Sequence, residues 1–227
     1  MPMQSEKAAN WVQVCRQTIS LAEKSFVAGK PRPDQGVYLV STYVALGLCE
    51  LILQQKSGPM IDAFRKAVDT WIFSVERTVT GQSMEILEAA TLTRDHALAL
   101  EVAGRIVDPL PALQASPIHH LSRLFLCVLT ASGDPTPHRA ELKGKDKYHA
   151  TYGDMLGAIL DGDEARLVKS AETYLNWHRS LAENGRLKQV PTGLAALPVL
   201  ACLELAREKG LAVTLDHPYA PAAALSA

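Results

Sequence analysis

The chain lacks every short motif that commonly marks an active site or a metal site. It has no paired-cysteine zinc motif, no nucleophile elbow, no glycine-rich phosphate loop between a strand and a helix, and no aspartate-rich run for magnesium. No two histidines stand four residues apart, the spacing that places both imidazoles on one helical face. The seven histidines are His96, His119, His120, His138, His149, His178 and His217. We therefore predict that the protein is not an enzyme and holds no cofactor and no metal ion.

An excess of charge of one sign is also lacking, because 23 Lys and Arg residues balance 24 Asp and Glu residues to a net charge of −1. This balance gives no general attraction to nucleic acid or to an anionic membrane, so we expect neither as a partner. The chain has no basic head before an apolar stretch, and no run of about 18 apolar residues. Its four cysteines lie far apart in apolar segments, which is typical of buried thiols in a reducing compartment. We expect a cytoplasmic protein.

Strand signals are scarce, and apolar residues recur at helical spacing along the whole chain. Short breaks such as Asp108-Pro109 separate these runs, and short connections favour antiparallel neighbours. We predict an all-α fold of about nine helices, arranged as antiparallel helical hairpins in an irregular bundle or a solenoid-like stack. The expected helices cover residues 8–26, 37–54, 61 to about 81, 84–92, 94–107, 117–132, 148–160, 167–181 and 197–211.

The longest irregular stretch covers residues 134–147, which are rich in Pro, Gly and Lys. A division there would leave only three helices after it, too few to build a core of their own. We therefore predict a single domain over residues 1–227, with 134–147 as the place where it would divide.

The most informative helix is the last one, LPVLACLELAREKGL at 197–211. It is apolar on nearly every side, so we expect it at the centre of the molecule. Cations in its last turn and Gly210 just beyond mark its end. A short extended piece, Val213 to Leu215, and a proline-broken tail are expected to follow.

Four acidic residues are the candidate binding residues of this chain: Asp154, Asp161, Asp163 and Glu164. Asp161 and Glu164 stand at the spacing of a capping box, and carboxylates near a helix start are favourable. Alternatively, the four carboxylates form an acidic patch for a basic partner. Both interpretations can hold together.

Three other positions have competing interpretations. His178 lies on the apolar face of its helix, which favours a hydrogen-bonded histidine at the edge of the core over a ligand or base. Trp177 lies off that face, where an aromatic side chain can mark an interface. His119 and His120 are adjacent and point about 100° apart on a helix, so we expect at most one of them at any given site.

Two stretches resemble the immunity protein 49 family of bacterial polymorphic-toxin and interbacterial competition systems. The first is YGDMLGAILDGDEARLVKSAETYLNWHRSL at 152–181, with a short helix, a turn at Leu160, Gly162 and Asp163, and a long helix. The second runs from the apolar helix at 197–211 to the Tyr-x-Pro ending at residues 219–221. Together they cover about a quarter of the chain. The tail departs from the family pattern at His217-Pro218.

The resemblance implies a non-enzymatic inhibitor without a cofactor, which binds its cognate toxin tightly and protects the producing cell. The toxin would act in the cytoplasm, and a nuclease is our first expectation. An inhibitor of this kind can plug the active site with carboxylates that mimic substrate phosphates, or it can clamp an exosite and block movement. Substrate mimicry makes the four acidic residues our candidates for toxin binding. The oligomeric state is left open.

Two other classes of protein stay open at this point. A helical-repeat scaffold or effector chaperone would show a concave groove lined by apolar side chains. An all-helical enzyme would gather titratable groups such as His119, His149 or His178 in a deep pocket.

Overall fold

The computed structural model describes residues 2–26, 33–74, 81–106, 116–215 and 217–226. These ranges contain ten α-helices and no strand, so the all-α prediction is confirmed. The helices are α1 (Pro2–Glu23), α2 (Pro33–Gln54), α3 (Ser57–Ser74), α4 (Gly81–Leu92), α5 (His96–Arg105), α6 (Pro117–Thr130), α7 (Thr136–Leu142), α8 (Lys147–Asp161), α9 (Glu164–Asn184) and α10 (Leu197–Glu208). Two 3₁₀ turns, Pro191–Gly193 and Ala222–Ala224, follow α9 and α10.

The structure corrects the sequence prediction at two places. Residues 134–147 are not one irregular stretch, because α7 forms inside them and raises the count from nine helices to ten. Pro137 did not prevent this helix, since proline is tolerated in the first turn, where its missing N–H has no helical partner. The extended piece expected at Val213 to Leu215 has no regular secondary structure. The expected break at Asp108-Pro109 and the expected helix end at 107 lie outside the described residues. Gly81, expected near the end of the third helix, is instead the first residue of α4.

Helix ends around α8 are fixed by side-chain and glycine caps. Asp146 caps the start of α8 by accepting hydrogen bonds from the backbone N–H groups of Tyr148 and His149. Gly162 ends the helix with a φ of 67°, a left-handed conformation that costs glycine little. The turn at Gly162 leads directly into α9, so α8 and α9 pack against each other.

Helices that follow one another along the chain mostly pack together, as the hairpin prediction implies. Contacts join α1 to α2, α2 to α3, α3 to α4, α4 to α5, and α8 to α9. The last helix behaves differently, because α10 packs against the distant α4 and also against α8 and α9. One cluster of buried hydrophobic side chains extends from Ile19 in α1 to Ala224 near the end of the chain. The single-domain assignment stays a prediction.

The central position expected for the last helix is confirmed. Nine of the twelve residues of α10 are buried: Leu197, Val199, Leu200, Ala201, Cys202, Leu203, Glu204, Leu205 and Ala206. Burying a leucine side chain contributes about 1.5–3 kcal/mol to folding, so this helix supplies a large share of the apolar stabilisation.

One buried residue of α10 is charged. Glu204 is completely buried, and its carboxylate forms ion pairs with Arg207 and with Arg94, whose Nε lies 3.6 Å from Oε2. Arg94 also donates a hydrogen bond of 2.9 Å to the backbone oxygen of Ala224. A buried carboxylate without a cation would be costly, so the two arginines stabilise α10 in place. Arg94 at the same time holds the C-terminal tail against the α4–α5 turn.

Residues Gln35–Gln54 of α2 are long and apolar enough to cross a membrane by length and composition alone, with a mean hydropathy of 1.8. No such segment was expected from the sequence. In the structure 67% of this window is buried inside the protein, which is the behaviour of a core helix.

The central role of α10 predicts a large effect of truncating Leu200, which is fully buried. Leu200→Ala should lower the free energy of unfolding by about 2–5 kcal/mol, because it leaves a cavity in the core. Urea denaturation followed by circular dichroism measures this. The matched control is Leu21→Ala on α1, where the side chain is 66% exposed and a change within about 0.5 kcal/mol is expected. Equal effects of the two substitutions would contradict the central placement of α10.

Candidate functional site

The four acidic candidates lie together where α8 turns into α9, but their local roles differ from the expected capping box. Asp163, not Asp161, is the N-cap of α9, and its side chain accepts a 2.9 Å hydrogen bond from the N–H of Arg166. Asp161 is the last residue of α8, because the left-handed Gly162 ends that helix first. Glu164 accepts a 2.7 Å hydrogen bond from the N–H of Ala212, which ties the turn to the segment after α10.

Two arginines neutralise the other two carboxylates. Arg166 lies 2.8 Å from Asp161 Oδ2 through Nη1 and 3.1 Å from Asp154 Oδ1 through Nε. Arg139 of α7 donates a 2.6 Å hydrogen bond to the same Oδ2 of Asp161. Ser170 also donates to Asp154. All four acidic candidates are therefore held by groups of the chain itself.

The arginines lie directly on the backbone of α8 at Gly157. A Cβ at this position would come within 2.7 Å of Arg166 Nη2 and 2.8 Å of Arg139 Nη2. Arg139 also donates a hydrogen bond to the Gly157 carbonyl oxygen. A side chain at this position would displace the ends of both guanidinium groups, so glycine leaves room for them beside the helix backbone.

Next to these ion pairs is a depression of about 680 Å³ between α7, α8 and the start of α9. We call it the charged depression. It is lined by Thr136, Arg139, Ala140, Leu142, Lys143, Gly144, Ala150, Gly153, Asp154 and Arg166. Charges of both signs thus stand beside small and apolar residues, so this surface is not a plain acidic patch.

Hydrogen bonds from Arg139, and further ones from Arg166, hold the pKa of Asp161 below its usual 3.8. The pKa of Asp161 is lower in the folded state than in the unfolded chain, so its pairing with the arginines stabilises the fold at pH values above the usual pKa. This stabilisation is lost as the pH falls through the lowered pKa of the folded state. At pH 7, Asp161→Asn should cost at most about 1 kcal/mol, since the side chain is 40% exposed. As the pH falls below 3.8, the free energies of unfolding of the intact protein and of Asp161→Asn should converge. When Arg139→Gln is already present, the loss of unfolding free energy caused by Asp161→Asn should be smaller at pH 7. If Asp161→Asn costs as much at low pH as at pH 7, the pairing of Asp161 with the two arginines is contradicted.

A second set of polar residues escaped the sequence analysis. A cavity of about 200 Å³ lies between α4, α8, α9, the connection after α9 and the start of α10, and we call it the aromatic cavity. It is lined by Met84, Glu85, Glu88, Tyr148, Tyr174, Trp177, His178, Arg186, Leu187, Thr192, Ala195, Leu197 and Pro198. The sequence signal was the pair of glutamates in α4, which are the only charged residues of that helix and stand three residues apart, so both lie on one helical face.

Glu88 is the most unusual residue of this cavity. Its side chain is buried, and Oε1 accepts a 2.8 Å hydrogen bond from the hydroxyl of Tyr152. Burial disfavours the charged carboxylate and raises the pKa of Glu88 to about 8. Burial also raises the pKa of Glu85, which accepts a 3.0 Å hydrogen bond from Ser41.

The structure revises the expectations for Trp177 and His178. Trp177 is half-buried and packs against Tyr174, with ring centroids 5.3 Å apart. His178 is in the core as expected, at 4% exposure, and burial lowers its pKa to about 4. However, its Nε2 has no hydrogen-bond partner within the described part of the chain, so the histidine is not fully hydrogen-bonded.

Three histidines also come together, contrary to expectation. His119 and His120 of α6 both face His138 of α7, with ring centroids 6.0 and 5.5 Å away. The Nδ1 atoms of His120 and His138 are 3.2 Å apart. Burial lowers the pKa of both rings. Repulsion from His119 adds to this for His120, and repulsion from His120 and His119 adds to it for His138. Across the residues that the structure describes, no group of three or more His, Cys, Asp or Glu side chains has the geometry of a metal site.

The buried carboxyl predicts an unusual pH dependence of stability. Glu88 ionises near pH 4.5 in the unfolded chain but keeps its proton to about pH 8 in the fold. Stability should therefore fall as the pH rises through this window, by up to about 1.4 kcal/mol per pH unit. Glu88→Gln keeps the shape of the side chain but cannot ionise, so the stability of this variant should not fall with pH in this way. Urea denaturation from pH 5 to 8 measures the free energy of unfolding of the intact protein and of Glu88→Gln. If the two free energies change in parallel with pH, the raised pKa of Glu88 is contradicted.

Comparisons of the chain with known protein families, with curated proteins and with solved structures found no match. None of these comparisons bears on the resemblance of residues 152–181 and 197–221, which stays a prediction. Everything else about function depends on the geometry of the two sites.

Proposed function

We propose that the protein is an immunity protein, which neutralises a cognate bacterial toxin by non-covalent binding. The observation that supports this proposal best is the charged depression, where partly exposed charges are fixed on packed helices. The stretch at 152–181 that resembles the immunity protein 49 family includes two of its charged residues, Asp154 and Arg166.

The chemistry of the charged depression fits contact with another protein. Asp154 and Asp161 are 48% and 40% exposed, and Arg166 is 34% exposed, so each can reach a partner without unfolding. Interfaces of non-obligate complexes combine an apolar centre with a polar rim. A scaffold or chaperone would instead offer a groove lined by apolar side chains, so the mixed lining favours the immunity protein.

A basic toxin surface would bind here by exchanging partners. Its lysines or arginines would replace Arg139 and Arg166 on the carboxylates, and the freed guanidinium groups would bind acidic groups of the toxin. Charge pairs at such an interface accelerate association and make it sensitive to salt. We propose a toxin that acts in the cytoplasm, with a nuclease as the first candidate, because nucleases commonly present basic surfaces to phosphates.

The proposal implies that a toxin gene lies beside the gene of this protein, and that toxin is used for the test. Its toxic domain is expressed in a bacterial host with and without the protein, and growth and complex formation are measured. The intact protein should restore growth and form a stable complex. Asp154→Asn with Asp161→Asn should weaken the complex about tenfold or more, because two charge-assisted contacts are lost.

The matched control is Asp62→Asn with Asp69→Asn, which neutralises two exposed carboxylates on α3. This control should protect as well as the intact protein. Growth arrest despite the intact protein, together with no complex, would refute the immunity function. Protection that survives both pairs of substitutions equally would place the toxin elsewhere on the surface.

A further inference from the structure

The aromatic cavity holds two carboxyl groups that have no cation. Glu85 and Glu88 both line it, and in the described ranges no Lys, Arg or His nitrogen lies within 4 Å of either carboxylate. The buried carboxylate of Glu204 in α10, by contrast, has Arg94 and Arg207 as partners. A desolvated carboxyl without a cation keeps its proton, and an incoming positive charge would stabilise its ionised form.

Three aromatic rings surround the same space. The ring centroids of Tyr148, Tyr174 and Trp177 are 5.3 to 5.9 Å apart, and their planes meet at 49° to 71°. The rings therefore present faces and edges in several directions instead of stacking in parallel. The negative face of an aromatic ring attracts a cation, and tryptophan and tyrosine do so best.

His178 provides a hydrogen-bond acceptor in the cavity wall. Its ring donates to the backbone of Gly193, and Nε2 is buried without a partner among the described residues. Because the ring is neutral at pH 7, Nε2 carries a lone pair and no opposing charge. A ligand with N–H groups would satisfy this atom, and a quaternary ammonium would not.

We propose that the aromatic cavity binds a primary alkylammonium cation, which the carboxyls of Glu85 and Glu88 neutralise and the three rings enclose. The volume of about 200 Å³ is below the roughly 300–1,000 Å³ of sites for drug-sized ligands. It therefore suits a short free amine or the end of one lysine side chain of a partner. Arg186 also lines the cavity, but its exposed guanidinium reaches neither carboxylate.

Binding of the cation releases a proton. The incoming ammonium favours ionised Glu88, whose proton passes to water while the ligand keeps its own charge. The other ionisable groups around Glu88 are Glu85 on its own helix, Tyr148 and Tyr152 on α8, Tyr174 and His178 on α9, Arg186 after α9 and Cys202 on α10. The tyrosines and the cysteine have raised pKa values and stay neutral, and His178 is neutral above pH 6. Affinity should therefore rise up to about tenfold per pH unit below the pKa of Glu88.

The experiment is isothermal titration calorimetry of the full chain with n-butylammonium chloride at pH 6, 7 and 8. We expect saturable binding of one equivalent that tightens with pH. The uncharged isostere 1-butanol should bind at least about tenfold more weakly, because it lacks the charge. Glu88→Gln should weaken ammonium binding about tenfold or more and remove its pH dependence. Trp177→Ala should weaken it several-fold.

The matched control is Glu172→Gln, an exposed residue of α9 outside the cavity, which should bind as the intact protein does. A short peptide with a single lysine, titrated in parallel, distinguishes a partner's side chain from a free amine. The proposed site is supported if only the peptide binds, and also if only the free amine binds. No binding of either probe, equal binding of 1-butanol, or unchanged affinity in Glu88→Gln would overturn the proposal. These outcomes do not depend on toxin neutralisation.

Discussion

The burial of α10 is the constraint on which the rest of this structure depends. The helix comes from the end of the chain, yet it packs against α4 as well as α8 and α9. It therefore fixes the positions of helices that are separated by more than 50 residues in sequence. The charged depression depends on α8 and α9, and the aromatic cavity depends on α4, α8 and α9. Both sites lose their geometry if α10 does not pack.

The molecule handles its charges in two contrasting ways. At the α8–α9 turn the carboxylates are partly exposed and already paired with Arg139 and Arg166, so they are stable in water and available for exchange with a partner. In the aromatic cavity Glu88 is buried, and its carboxyl accepts a hydrogen bond from the hydroxyl of Tyr152 without a cationic partner among the described residues. Such a carboxyl keeps its proton until a cation arrives. The first arrangement suits contact with a macromolecule, and the second suits a small positive group.

Features that depend on neighbouring residues were predictable from the sequence. The apolar helix at 197–211 and the amphipathic α9 follow from spacing alone, and so does the all-α class. The capping assignment was wrong because Asp161 and Asp163 are both plausible caps by spacing, and only the left-handed Gly162 decides between them. The short α7 was missed because Pro, Gly and Lys also occur in loops.

The groups that matter most in the two sites come from distant parts of the chain. Glu88 and Tyr152 are 64 residues apart, and Arg139 and Asp161 are 22 residues apart. No periodicity encodes such pairs, because their contact depends on how the helices pack. The same holds for His138, which reaches His120 from α7. The sequence therefore indicated the acidic turn but neither its arginine partners nor the aromatic cavity.

Native-state hydrogen exchange tests the central role of α10 most directly. The amides of residues 200–206 should be among the slowest in the protein and should exchange only by global unfolding, so their opening free energy should equal the free energy of unfolding measured by urea. Opening of α10 at a clearly lower free energy, while α4 and α8 stay protected, would contradict the account.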